Sequence, residues 1–133
     1  MAKTTNTTLR GKSVMPSLTV DDLQRSLGFF GDLGFEVEEK WEENGKLQGA
    51  MLKAGNARLG LSQDDGKKGG NRVKGIGMRL YIETADNIDE VAARAKAAGI
   101  TPTEPHDTDW GSRAFEVTEP SGFALTISSP ASR

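Results

Sequence analysis

Three side chains of complementary chemistry stand at alternate positions in residues 79–83. Arg79 carries a permanent positive charge, Tyr81 an aromatic ring with a hydroxyl group, and Glu83 a carboxylate. Alternate side chains of a β-strand share a face, so all three would point the same way. This face could present a cation and an anion to a zwitterionic organic ligand, or it could form an exposed ladder of charges.

His106 is the single histidine of the chain and the only side chain suited to proton transfer near neutral pH. It stands between Pro105 and Asp107, a setting that favours a solvated loop histidine over a general base. Asp107, Asp109 and Glu116 have no visible partner that would make them an acid and base pair. The sequence therefore predicts no catalytic residue.

Both tryptophans are candidate ligand contacts. Trp110 precedes Gly111 in a predicted loop, where its ring could stack on a ligand or could instead cover the core or a dimer interface. Trp41 ends a predicted strand beside two glutamates, which is also typical of interface or surface cover. Each tryptophan thus has a binding and a structural interpretation.

Composition excludes several classes of site and partner. The 133 residues include no cysteine and one histidine, so a metal site would depend on carboxylates and at most one imidazole. A net charge of −2 gives no basic field for nucleic acid. No apolar run approaches the ~20 residues of a membrane span, and residues 1–13 lack the hydrophobic middle of a secretory signal. We expect a cytoplasmic protein without a cofactor, a metal, a nucleic-acid partner or a membrane.

The first half reads as a strand, a helix and three strands. Alternation in residues 14–20 places Leu18 and Val20 on one face and Met15, Ser17 and Thr19 on the other. A helix should begin after Asp21 or Asp22 and end at Gly34. Strands are predicted at 35–41, 47–53 and 58–63, the first two joined by an Asn-Gly turn. In the helix, Gly28 and Gly31 indicate the close approach of another backbone.

The second half repeats this order. A strand at 78–84 carries Arg79, Tyr81 and Glu83 on one face, and a helix capped by Asp86 ends at Gly99. Further strands are predicted at 101–106, 113–117 and 123–128, with a turn at 119–122 between the last two. Gly34 and Gly99, which end the two helices, lie 65 residues apart (99 − 34). The repetition indicates a duplicated unit, with a concave seam between the copies.

Segments at both ends of the chain carry a family resemblance. SLTVDDLQRS at 17–26, followed by FF at 29–30 and LGF at 33–35, resembles the opening of the vicinal oxygen chelate superfamily, also called the glyoxalase, bleomycin-resistance and dioxygenase superfamily. WGSRAFEV at 110–117 with EPSG at 119–122 resembles its closing segment. The likeness extends over about residues 13–129.

The resemblance implies an α+β fold in which two tandem βαβββ modules form an eight-stranded, U-shaped mixed sheet around a cleft, with helices on the outer face. Residues 1–12 would be a flexible arm and 13–133 a single domain, divided into module one (13–63), a connector (64–75) and module two (76–129).

The resemblance also places the metal ligands of the superfamily's enzymes at Met15, Gly60, Arg79 and Thr126 in this chain. Glycine has no side chain, arginine is an obligate cation, and threonine and methionine are poor or soft donors. No metal is therefore expected at these positions.

We therefore predict metal-independent binding of a small polar or aromatic molecule in the cleft of a homodimer, similar to drug-sequestering proteins of antibiotic resistance. The alternatives are a metal-dependent or metal-free lyase, isomerase or dioxygenase of the same superfamily, or a regulatory domain with a filled cleft. The predicted ligand contacts are Met15, Ser17, Trp41, Arg79, Tyr81, Glu83, Trp110 and Thr126.

Overall fold

The chain folds into two successive βαβββ modules. The computed structural model describes residues 8–67 and 72–130; much of the predicted arm, the middle of the connector and the last three residues lie outside the described residues. The first module contains β1 (Ser17–Val20), α1 (Leu23–Leu33), β2 (Glu36–Glu43), β3 (Lys46–Ala54) and β4 (Ala57–Gln63). The second contains β5 (Arg79–Glu83), α2 (Ile88–Ala97), β6 (His106–Asp107), β7 (Ser112–Thr118) and β8 (Ala124–Pro130).

Each module forms its own four-stranded mixed sheet. The first sheet has the order β1-β4-β3-β2 and the second β5-β8-β7-β6, which is the same order in both modules. The pairs β1 with β4 and β5 with β8 are parallel, and the other pairs are antiparallel. The predicted α+β class with two βαβββ modules is confirmed, and the hydrogen-bonded pairing divides the eight strands into two sheets.

A single apolar core joins the modules. Its members include Leu18 and Leu61 of the first sheet, Phe30 of α1, and Phe115 and Leu125 of the second sheet, all at most 1% exposed. Helix α1 contacts β2, β3 and β4, helix α2 contacts β7 and β8, and the two helices contact each other. Each sheet therefore has one face toward the core and one open face away from it.

The helix ends show where capping was predicted well and where it was not. Asp22 caps α1 by accepting from the Arg25 N–H at 3.2 Å, as one of the two predicted alternatives. The predicted Asp86 cap of α2 is wrong. Asn87 caps this helix, accepting from the Glu90 N–H at 3.0 Å, while the Asp86 N–H donates to Thr84 Oγ1. Asp86 belongs to the preceding turn, so the helix begins later than predicted.

Strand β6 is much shorter than the strand predicted at 101–106. Only His106 and Asp107 pair with β7 as a strand. Pro102 and Pro105 interrupt the preceding segment because they have no N–H to donate to a ladder. One backbone bond remains upstream, from the Thr103 N–H to the Glu116 carbonyl at 2.9 Å.

The glycines of α1 are open rather than crowded. A Cβ added at Gly28 or Gly31 would meet nothing within 4 Å, and both residues are exposed. The predicted close approach of another backbone is therefore wrong for the described chain. No helix in residues 8–67 and 72–130 has the length and apolar character needed to cross a bilayer.

Candidate functional site

The open face of the second sheet carries the side chains that the sequence placed together. Arg79, Tyr81 and Glu83 of β5 are exposed, and Tyr81 leaves 68% of its surface accessible. Leu80 and Ile82 alternate with them and pack against the core. The predicted division of faces in β5 is therefore confirmed.

Thr126 orients Arg79 on this face. The Arg79 Nη1 atom donates to Thr126 Oγ1 at 3.0 Å, and Thr126 is only 3% exposed. Because Tyr81 is the register partner of Thr126 in the neighbouring strand, the phenol and the guanidinium are held side by side. A fixed cation next to an aromatic ring can bind an anionic or polar group of a ligand.

Glu116 continues the same row on β7, since it is the register partner of Thr126. Its Oε1 atom accepts from Thr103 Oγ1 at 2.9 Å, and its Oε2 atom lies 3.8 Å from His106 Nε2. No partner for Glu116 could be recognised in the sequence. Glu116 meets these partners because β7 lies beside the segment around Thr103, and the sequence does not show that pairing.

The open face of the first sheet is built from smaller side chains. Ser17 lies opposite Gly60, and Thr19 lies opposite Ser62. Gly60 is in turn the register partner of Met51 in β3. The side chains on this face are thus small near β1, whereas β2 places Trp41 on it.

Trp41 lies across Gly49, its register partner in β3. A Cβ added at Gly49 would lie 2.7 Å from the indole Nε1 atom and closer still to Cζ2 and Cε2. The ring therefore occupies space that only glycine leaves free, yet 43% of Trp41 remains exposed. Sequence reasoning singled out Trp41 but missed Gly49.

Strand β2 surrounds Trp41 with carboxylates. All eight residues of β2 are exposed, and five of them are glutamates. Arg58 donates to Glu38 at 2.9 and 3.2 Å, and this hydrogen bond lowers the pKa of Glu38. Glu39, two residues before Trp41, makes no ion pair within the described residues.

The two remaining predicted contacts are exposed at the margins of the sheets. Met15 precedes β1 and is 45% exposed, and Trp110 is 67% exposed in the turn between β6 and β7. That turn is closed by hydrogen bonds between Thr108 and Ser112. Neither side chain packs into the core cluster.

Two grooves of about 590 and 660 Å³ lie between the modules. The first runs between α1 and the segment after α2, and the second is lined by Phe35, Val91 and Arg94. Of the predicted ligand contacts, only Glu83 lines either groove. The other candidates lie on the open faces and at their margins.

The positions that the resemblance assigns to metal ligands carry side chains that do not fit a metal ion. Gly60 has no donor atom, Arg79 brings a positive charge, and the Thr126 hydroxyl is engaged by Arg79. Met15 alone offers a soft sulfur. Within the described ranges, no group of three or more His, Cys, Asp or Glu side chains is placed to hold an ion.

Comparison with solved structures shows the same fold in proteins of low identity. A bleomycin-binding protein complexed with bleomycin is 17% identical, with a TM-score of 0.67 over 90% of this chain and 98% of the other. TnmS3, an antibiotic binding protein from Streptomyces sp. CB03234, is 19% identical, with a TM-score of 0.70 over 93% and 100%. A lactoylglutathione lyase from Agrobacterium tumefaciens is 22% identical, with a TM-score of 0.64 over 90% and 94%.

Comparison with curated protein sequences finds no match. The family profile described as the Glyoxalase/Bleomycin resistance protein/Dioxygenase superfamily matches residues 12–127, which is most of the chain. The resemblance at both ends of the sequence is thereby confirmed, and the repeated strand order agrees with it. The chain belongs to the Glyoxalase/Bleomycin resistance protein/Dioxygenase superfamily.

Proposed function

We propose that the protein binds a small organic molecule, without a metal ion, in a cleft that two chains form together. The observation that carries this proposal is the open face of the second sheet, where Thr126 holds Arg79 beside the exposed Tyr81. This row combines a cation, an aromatic ring and hydroxyl groups. Such a mixture suits a ligand bound by stacking and a few directed hydrogen bonds.

The exposed aromatic side chains support a cleft closed by a second copy. Trp41 and Tyr81 are on different sheets, and neither lines the two grooves described between the modules. If the first sheet of one chain faces the second sheet of another, both rings enter one cavity. The antibiotic-binding proteins of the same fold are consistent with this proposal.

Isothermal titration calorimetry tests the proposal with bleomycin, a mitomycin-type quinone and a set of aromatic metabolites. We expect at least one compound to bind with micromolar affinity, and sedimentation velocity to show a dimer. Tyr81→Ala should weaken that binding by about tenfold, the loss typical of an exposed aromatic contact. Gln24→Ala, at an exposed position of α1 that lines neither groove, is the control and should leave the affinity unchanged. A panel without any binder would overturn the proposal.

One observation favours an enzyme as the second candidate. His106 and Glu116 lie within 3.8 Å of each other on the second sheet, so an imidazole and a carboxylate could move a proton there. Elemental analysis of untreated protein separates the metal-dependent form of this alternative from the metal-free form. A stoichiometric divalent ion, or turnover that His106→Gln abolishes, would displace the binding function.

A further inference from the structure

The first sheet carries a glycine that fixes the position of an aromatic ring. In β3, Gly49 is buried, and the space above its Cα atom is filled by the Trp41 indole from the neighbouring strand. An aromatic side chain over a cross-strand glycine is a known way to stabilise a sheet. That role alone would explain a ring that is covered on all sides.

Trp41 is not covered on all sides. It keeps 43% of its surface exposed on the open face, although one side of the ring packs into the space that Gly49 leaves free. A ring with little freedom to move loses little entropy when a ligand stacks on it. We infer that Trp41, positioned by Gly49, is a stacking platform for a planar aromatic ring of the ligand that carries a positively charged group. This inference rests on the proposed function and adds the class of ligand.

The charges around Trp41 determine the sign of that ligand. Glu39 lies on the same face of β2 as Trp41. Its register partner is Met51, so no cation lies directly opposite it. Glu38, by contrast, is paired with Arg58. A free carboxylate beside an indole favours a cation twice, through Coulomb attraction and through the negative face of the ring.

The second sheet gives the other end of the ligand a different environment. There Arg79 is the cation on the open face, and Thr126 holds its guanidinium. A molecule with a cation-bearing aromatic ring near Trp41 and a polar or anionic group near Arg79 would match both faces.

Two anthracene derivatives with the same ring and opposite charge test the inference by fluorescence anisotropy. The cation 9-(aminomethyl)anthracene should bind at least about tenfold more tightly than the anion 9-anthracenecarboxylate, as expected for cation–π contact reinforced by a carboxylate. Glu39→Gln should reduce that preference. Glu36→Gln, which removes the same charge beside the register partner Lys53, should not.

Gly49→Ala tests the positioning of the ring. The new methyl group must displace the indole, so the affinity for the cation should fall by about tenfold, as it should in Trp41→Leu. Gly31→Ala is the matched control, because its Cβ meets nothing within 4 Å on the exposed side of α1. Thermal unfolding confirms that each variant is folded, and Trp41→Leu provides the answer if Gly49→Ala does not fold.

The outcomes separate this inference from the proposed function. Equal binding of the two anthracenes, or equal affinities in Gly49→Ala, Trp41→Leu and the unmodified protein, would overturn the platform and leave the binding function intact. If only a compound of the calorimetry panel binds, the same variants are titrated with it, and unchanged affinity again overturns the inference. If no compound of either set binds, the proposed function itself fails.

Discussion

Glu119 is the most deeply buried carboxylate in the described chain, with 1% of its surface exposed. Its Oε2 atom accepts from the Ser26 hydroxyl of α1, and its Oε1 atom accepts from the Ser121 N–H at 2.6 Å. The Ser121 hydroxyl in turn accepts from the Asp21 N–H at 2.8 Å. These contacts fasten the β7–β8 turn of the second module to the beginning of α1 in the first.

Ser26→Ala should lower the free energy of unfolding by about 1–3 kcal/mol, because it removes a hydrogen bond from a carboxylate that water cannot reach. Urea denaturation measures the change. Ser62→Ala on the open face of β4 is the control and should change stability by less than about 0.5 kcal/mol. Equal effects of the two substitutions would show that the buried contact contributes little to holding the modules together.

The sequence could not predict which residue on a neighbouring strand supports a given side chain. Trp41 was recognised from its place at the end of a predicted strand beside two glutamates, but its dependence on Gly49 follows from strand register. The ladder between β2 and β3 is irregular between Val37 and Glu39 and again between Trp41 and Glu42. A shift of one residue in register exchanges the faces of a strand, so counting back from the Asn-Gly turn could not identify the partner.

At the scale of elements, two adjacent residues, Asp86 and Asn87, are both suited to cap α2, but only Asn87 does so. Asn87→Ala should cost about 1 kcal/mol of stability, since it leaves the Glu90 N–H without its acceptor. Asp86→Ala should cost less, because the aspartate side chain does not cap the helix. Urea denaturation of both variants decides between them, and a larger loss in Asp86→Ala would contradict the assignment.

Most elements were predictable because periodicity, caps and turns agree in this chain. Both helices, the Asn-Gly turn and the alternating faces of β1 and β5 were predicted and are present. The exceptions have local causes. Asp86 and Asn87 are adjacent residues of nearly equal capping ability, so sequence could not choose between them. Strand β6 is shorter than predicted because Pro102 and Pro105, just before it, cannot donate to the ladder.

At the scale of the molecule, Lys74 links the connector to the first module. Its side chain is 5% exposed and contacts Asp21 and, at 2.8 Å, Asp64. Its backbone lies against the second module, where a Cβ at Gly122 would approach the Lys74 carbonyl oxygen to 2.9 Å. One residue thus contacts both halves of the fold.

This link predicts sensitivity to acid. The hydrogen bond from Lys74 lowers the pKa of Asp64, with further help from the Gly66 N–H and from Arg72. A carboxylate with a lowered pKa in the folded state stabilises the fold above its unfolded pKa of about 3.9, and this stabilisation is lost as the pH falls below that value. Asp64→Asn should therefore destabilise the protein at pH 7 and 5, and the difference from the unmodified protein should shrink at pH 3. Urea denaturation at the three pH values measures it, and a difference independent of pH would contradict the role of the charge.

The open face on each sheet also constrains how copies could assemble. Each chain has one open face on the first sheet and one on the second. A two-fold pair in which the first sheet of each chain faces the second sheet of the other covers all four open faces, so no further copy can add. An open head-to-tail arrangement would leave one sheet face uncovered at each end, so further copies could add to form a filament. The closed two-fold pair would therefore hold two identical cavities, one for each subunit.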